Sequence, residues 1–149
     1  MLPNGGVEQL RARVLHNCSF SDTAILSVPL LQGVVPLTLE STVLRGDGVI
    51  LVGYANPFGL FPGQVCKRIP DLSPGSLLQS EIGGTSGNIS IINLTLDMVS
   101  MQGMSGAPII TSNGVGGLLI GGEGRYSSAA SSSTIIQVLK QYYRICIQK

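Results

Sequence analysis

The apolar residues of this 149-residue sequence come in short runs that glycine, proline or asparagine interrupts. Such punctuation, at spacings of roughly six residues, suits strands joined by tight turns and leaves little room for amphipathic helices. Twenty glycines and eight prolines supply the interruptions, and only 11% of the residues are charged, so a β-rich globule is expected. Val49-Ile-Leu-Val-Gly-Tyr is rich in β-branched residues, follows the Gly46-Asp-Gly turn and stops at Asn56-Pro-Phe-Gly, which reads as one strand between two turns. Residues 107–111 and 116–121 form a second apolar pair, joined through the hairpin signal Ser112-Asn-Gly.

Residues 9–15 and 23–28 read as short strands around a corner at residues 19–22, and 64–69 and 89–98 as further strands. The Pro- and Gly-containing stretch 70–87 between the last two reads as a loop or an irregular hairpin, and Leu2-Pro-Asn-Gly-Gly as a turn. A serine-rich stretch follows residue 126, after which Ser133 can cap a closing helix that runs to about Tyr143. No repeat of fixed period and no alternation of helix with strand occurs, so the expected class is all-β with one C-terminal helix. Periodicity alone does not separate a sandwich from a barrel.

The formal net charge is +1, and Lys and Arg are scattered without a dense run, which argues against nucleic acid or an anionic membrane as partner. Residues 23–39 and 98–122 carry no charge, but Pro29, Gly33, Pro36 and Pro108 break them, so neither reads as a membrane span. Three cysteines at wide spacing, no C-x-x-C and a single histidine speak against a zinc site and against a disulfide framework. No metal and no cofactor is expected. Neither end carries a recognised address, so the compartment stays open.

Gln102-Gly-Met-Ser-Gly-Ala-Pro sets a serine between glycines just before a buried strand. A nucleophilic serine needs such a place. Its hydroxyl must stand clear of the chain, and backbone N–H groups must converge on the oxygen that becomes negative during acyl transfer. Ser105 is therefore the candidate nucleophile, although a serine in a glycine-rich turn is more often structural, and the surrounding blocks must decide.

Three such blocks occur in order: Ser21-Asp-Thr-Ala-Ile-Leu, then Arg45-Gly-Asp-Gly-Val-Ile-Leu-Val-Gly-Tyr-Ala-Asn-Pro-Phe-Gly-Leu, then Leu96-Asp-Met-Val-Ser-Met-Gln-Gly-Met-Ser-Gly-Ala-Pro. Together they resemble the trypsin/chymotrypsin-fold serine proteases, and the Asn-Pro-Phe-Gly block resembles the HtrA/Deg branch. The resemblance implies two antiparallel β-barrels of the chymotrypsin type, the first incomplete: residues 1–42 would be the remainder of the N-terminal barrel, and 43–149 the C-terminal barrel with its helix. It implies Ser105 as nucleophile, Asp22 as the aspartate that orients a histidine, and the backbone N–H groups of Gly103 and Ser105 as the oxyanion hole. A protein or peptide substrate is the implied partner, and a homo-oligomer is left open.

The sequence departs from the family pattern in three places. Met104 stands where the family usually has Asn and Ala107 where it has Gly; the first contributes backbone there and the second adds only a methyl group. Gly122-Glu-Gly-Arg-Tyr-Ser-Ser-Ala-Ala stands where the family has an apolar run, which leaves side-chain preference open. More seriously, the family's histidine precedes its aspartate by more than the twenty-one residues that stand before Asp22. The only histidine, His16, lies six residues from Asp22, too close along the chain to serve a serine across a cleft, and reads as structural. The catalytic histidine is thus expected to be absent from the chain. Asp97 reads as structural too, bonded to backbone N–H groups. The expected function is a serine endopeptidase domain working through an acyl-enzyme and inactive as this fragment; the alternative is a non-catalytic protease-like domain that binds peptides or partners.

Overall fold

A computed structural model describes residues 10–29, 32–40, 42–55, 69–86 and 89–147. The expected turn at Leu2-Pro-Asn-Gly-Gly, the Asn56-Pro-Phe-Gly block and most of the 64–69 strand lie outside the described residues. The rest follows the expected class: eight strands and one C-terminal helix. Strands β1 (Arg13–Cys18) and β2 (Thr23–Ser27) pair with each other as an antiparallel hairpin. Strands β3 (Gly48–Gly53), β4 (Asp71–Ser86), β5 (Ile89–Asp97), β6 (Pro108–Thr111), β7 (Gly114–Glu123) and β8 (Tyr126–Ser131) close into a barrel in the order β3-β4-β5-β8-β7-β6.

Alternation along the strands builds the barrel interior. In β3, Val49 and Leu51 point inward while Gly48 and Ile50 face out. Leu77, Leu94, Leu96, Met104, Ile109 and Leu119 meet them in one buried cluster, the period-2 pattern of a strand with one dry face.

Three stretches differ from the sequence expectation. β1 runs over Arg13–Cys18, later than the expected 9–15. Residues 70–87 are chiefly a long strand, not a loop: β4 pairs with β3 through residues 71–76 and with β5 through residues 76–86. Pro74 sits where β4 has a strand neighbour on one side only among the described residues, the kind of position in which a strand tolerates proline. The serine-rich stretch is also a strand. Its small side chains let β8 lie between β5 and β7, with Ser127, Ala129, Ala130 and Ser131 buried.

Helix α1 (Ser132–Ile147) starts two residues earlier than expected, and its cap is Ser131 rather than Ser133: the Ser131 hydroxyl accepts the Thr134 N–H at 3.2 Å. The helix then does for β5 what another strand would do. β8 covers β5 only over residues 93–97. Beyond that, the Ile92 N–H donates to Thr134 Oγ1 at 2.8 Å, and the same hydroxyl donates back to the Ile92 carbonyl. One turn later the Gln137 amide takes the Ser90 N–H at 2.7 Å and donates to the Ser90 carbonyl at 3.0 Å. A strap joins hairpin to barrel: Val115 N–H donates to Thr38, and Glu40 N–H to Val115, both at 2.8 Å. His16 meets α1 through Gln141 Oε1 at 3.2 Å and lies beside the Tyr142 ring.

Thr134→Val keeps the shape but removes both partners of Ile92 and one of Ser131, leaving buried polar groups unpaired. Urea unfolding should show a loss of about 1–3 kcal/mol. An unchanged midpoint would mean that the β5 edge does not depend on this hydroxyl.

Candidate functional site

Ser105 is the second residue of the second of two consecutive turns that share Met104. Met104 N–H donates to the Met101 carbonyl at 3.2 Å, and Ala107 N–H to the Met104 carbonyl at 3.0 Å. The third residue of each turn is a glycine with positive φ, Gly103 at 90° and Gly106 at 87°, as a type II turn demands. The Met104 side chain between them is 1% exposed and anchors the loop in the barrel core. The loop is then tied to β7: Gly106 N–H donates to Leu119 at 2.7 Å, and Leu119 N–H to Ala107 at 2.9 Å.

Ser105 itself is exposed, with its hydroxyl donating to the Ile120 carbonyl at 3.0 Å. Ile120 is the extra residue of a β-bulge, since the β7–β8 register slips between Leu119 and Gly121. A bulge turns a backbone group away from the ladder, which accounts for this carbonyl serving Ser105. The N–H groups of Gly103 and Ser105 donate to nothing among the described residues.

A hollow of about 250 Å³ opens against the loop, lined by Ser105, Gly103 and Ala107 on one side and by Val52, Gly53 and Tyr54 at the end of β3 on the other. Gly53 and Tyr54 were not singled out from the sequence. Their signal is steric: a Cβ at Gly53 would lie 2.7 Å from the Ala107 Cβ, so β3 and the serine loop touch only because residue 53 lacks one.

Asp22 holds a positive φ of 54° at the corner between β1 and β2, a conformation that aspartate tolerates better than most residues. Its N–H donates to Ser19, while Ser21 Oγ donates to Cys18 and Thr23 Oγ1 to Ser21. The Asp22 side chain is exposed, is not part of the hollow at Ser105 and has no hydrogen-bond or ionic partner among the described residues. No histidine or carboxylate among the described residues lines that hollow. Asp97 differs from expectation: its carboxylate pairs with Arg125 at 3.2 Å rather than with backbone N–H groups. The hydrogen bond to Asp97 and then its charge push the exposed Arg125 guanidinium above the usual arginine range.

Solved structures with this architecture include the Rv3671c protease of M. tuberculosis in its active form, with a TM-score of 0.69 and 21% identity over 89% of this chain. The fold is that of a trypsin-like protease. Two inactive forms of the same protein, one of them a serine-to-alanine mutant, match with TM-scores of 0.68 and 20% identity over 89% and 91% of this chain. The chain spans 59% to 66% of the length of those three. No protein-family profile and no curated protein matches the sequence.

Gly106→Ala tests the turn without a steric clash, because nothing lies within 4 Å of an added Cβ. The left-handed φ alone should cost about 1–2 kcal/mol in chemical denaturation. Stability equal to that of the parent would show that this turn relaxes freely.

Proposed function

We propose that this protease-like domain is the serine-bearing portion of an HtrA/Deg-type serine endopeptidase, in which Ser105 forms the acyl-enzyme and the N–H groups of Gly103 and Ser105 stabilise the oxyanion. The observation that carries the reading is the loop at residues 101–107. Two glycine turns lift an exposed hydroxyl beside a hollow and leave two backbone donors, two residues apart, without acceptors among the described residues. A preorganised pair of that kind is what a developing negative charge requires. β7 adds support, since β6 pairs with it only as far as Leu118 and leaves Ile120–Glu123 without a strand on that side among the described residues, where an extended peptide can add as one.

In this mechanism Ser105 Oγ attacks the scissile carbonyl as its proton passes to a base; the base returns the proton to the leaving amine, and water then cleaves the ester. The base is assigned to a histidine on a segment outside these 149 residues, with Asp22 as its orienting carboxylate. His16 is committed to Gln141 and Tyr142 at the helix. A second reading, a non-catalytic protease-like domain that binds peptides, is favoured by one observation: the Ser105 hydroxyl donates to a backbone carbonyl, and no base among the described residues lines its hollow.

The chain of residues 1–149 should hydrolyse peptides no faster than its Ser105→Ala variant, because a serine without its base loses on the order of 10⁶ in kcat. A chain lengthened at its front to include a histidine-bearing segment should gain Ser105-dependent labelling by a fluorophosphonate together with a higher Tm. A higher Tm without labelling would favour the binding module, and robust turnover by the 149-residue chain would show that the base lies within it.

A further inference from the structure

Away from Ser105, the barrel leaves one strand edge open beside a groove. β3 accompanies β4 only as far as Ser76. Leu77 then gives its N–H to Asp47 and takes the N–H of Gly46, and these bonds end the ladder on that side. From Leu78 onward β4 has β5 on one edge and no strand on the other among the described residues. Leu78 is itself the extra residue of a bulge, because the register slips between Leu77 and Gln79.

Two hollows meet along this edge at Val43 and Ser80. One, about 440 Å³, lies between Leu44 and Arg45 on one side and Leu78 and Gln79 on the other. The second, about 200 Å³, has an apolar floor of Ile92, Leu94 and Gly116 under a hydroxyl rim that includes Thr42 and Ser133. Among the described residues Arg45 is the only charged one lining either hollow, and it has no ion pair with any of them. The carboxylates around the groove lie outside both linings and each accepts a neutral N–H: Glu40 from Thr42 at 2.9 Å, Asp47 from Leu44 at 2.8 Å and Glu81 from the Gln79 amide at 3.2 Å.

We propose that this groove docks an extended peptide segment that pairs with the free edge of β4, sets one aliphatic side chain over Ile92 and Leu94, and presents a carboxylate to Arg45. Main-chain pairing at an open edge supplies affinity without sequence preference, and the apolar hollow and the lone cation supply the selection. The second hollow has the dimensions for one aliphatic side chain, and the exposed guanidinium offers a carboxylate two parallel hydrogen bonds. The inference stands on the groove alone and does not depend on Ser105.

Fluorescence anisotropy tests it with the 149-residue chain and labelled octapeptides of alternating Thr and Val that end in Asp, in Lys or in Asn. The Asp peptide should bind at least tenfold more tightly than the Lys peptide at low salt, and the gap should shrink as salt rises. Arg45→Gln should abolish the preference and Arg45→Glu reverse it, with Tm unchanged because residue 45 is exposed. Ser80→Trp should weaken all three peptides, whereas Ser105→Ala should leave every affinity as it was. Failure of all three peptides to bind, equal affinity for Asp and Lys peptides, or loss of binding in Ser105→Ala would overturn the assignment, the last by placing the peptide at the serine hollow. Self-association of the chain that the Asp peptide does not displace would also overturn it, by giving the groove to a second copy.

Discussion

Everything near Ser105 depends on a short closure of the barrel. The ring β3-β4-β5-β8-β7-β6 has no open gap only because β3 meets β6, and the pairing there is brief: Ile50 with Ile110, and Leu51 with Ile109. Leu51 and Ile109 are almost completely buried at this seam. β6 begins at Pro108, immediately after the two glycine turns, so the seam holds one end of the serine loop while Met104 and the bonds to Leu119 hold its middle. The absence of a Cβ at Gly53 brings β3 against that loop. A hydroxyl on a surface turn is thereby fixed by core packing.

Closure removes strand edges only where strands overlap, and the longer strands overrun their partners. The fold answers each overrun differently. Helix α1 covers the β5 overhang with Thr134 and Gln137, whose side chains imitate a neighbouring backbone. The overhang of β7 lies beside Ser105, and that of β4 borders the groove at Arg45. Hairpin β1–β2, which also has an unpaired outer edge on each strand among the described residues, keeps Val14 and Leu26 largely exposed although they face each other in register. A lone two-stranded hairpin is marginal in water, and here it is steadied by contact of His16 with the helix and by the approach of Phe20 to Gly84.

Much of this was legible where local chemistry decides structure. Val49 to Val52 after the Gly46-Asp-Gly turn, the pair of strands around Ser112-Asn-Gly, and the corner at residues 19–22 all form as their residues suggest. The misread stretches are those in which neighbours overrule propensity. Pro74, Gly75, Gly83 and Gly84 look like loop residues, yet β3 and β5 hold them in a strand, and Gly83 makes room for Asn93. Tyr126–Ser131 lacks the bulky β-branched residues of a strand, and its smallness is what lets β5, β7 and α1 close around it. Ser131 and Ser133 are equally good caps by type; the end of β8 selects Ser131.

The sequence by itself determined the all-β class, the closing helix and the glycine-framed serine, because turn geometry and strand alternation are properties of a few consecutive residues. Only the tertiary structure decided that six strands form a ring, that Ile120 offers its carbonyl to Ser105, that Gly53 and Tyr54 wall the same hollow, and that Asp97 faces Arg125. Those relations join residues far apart along the chain. They follow from register and packing, to which a single residue's propensity contributes almost nothing.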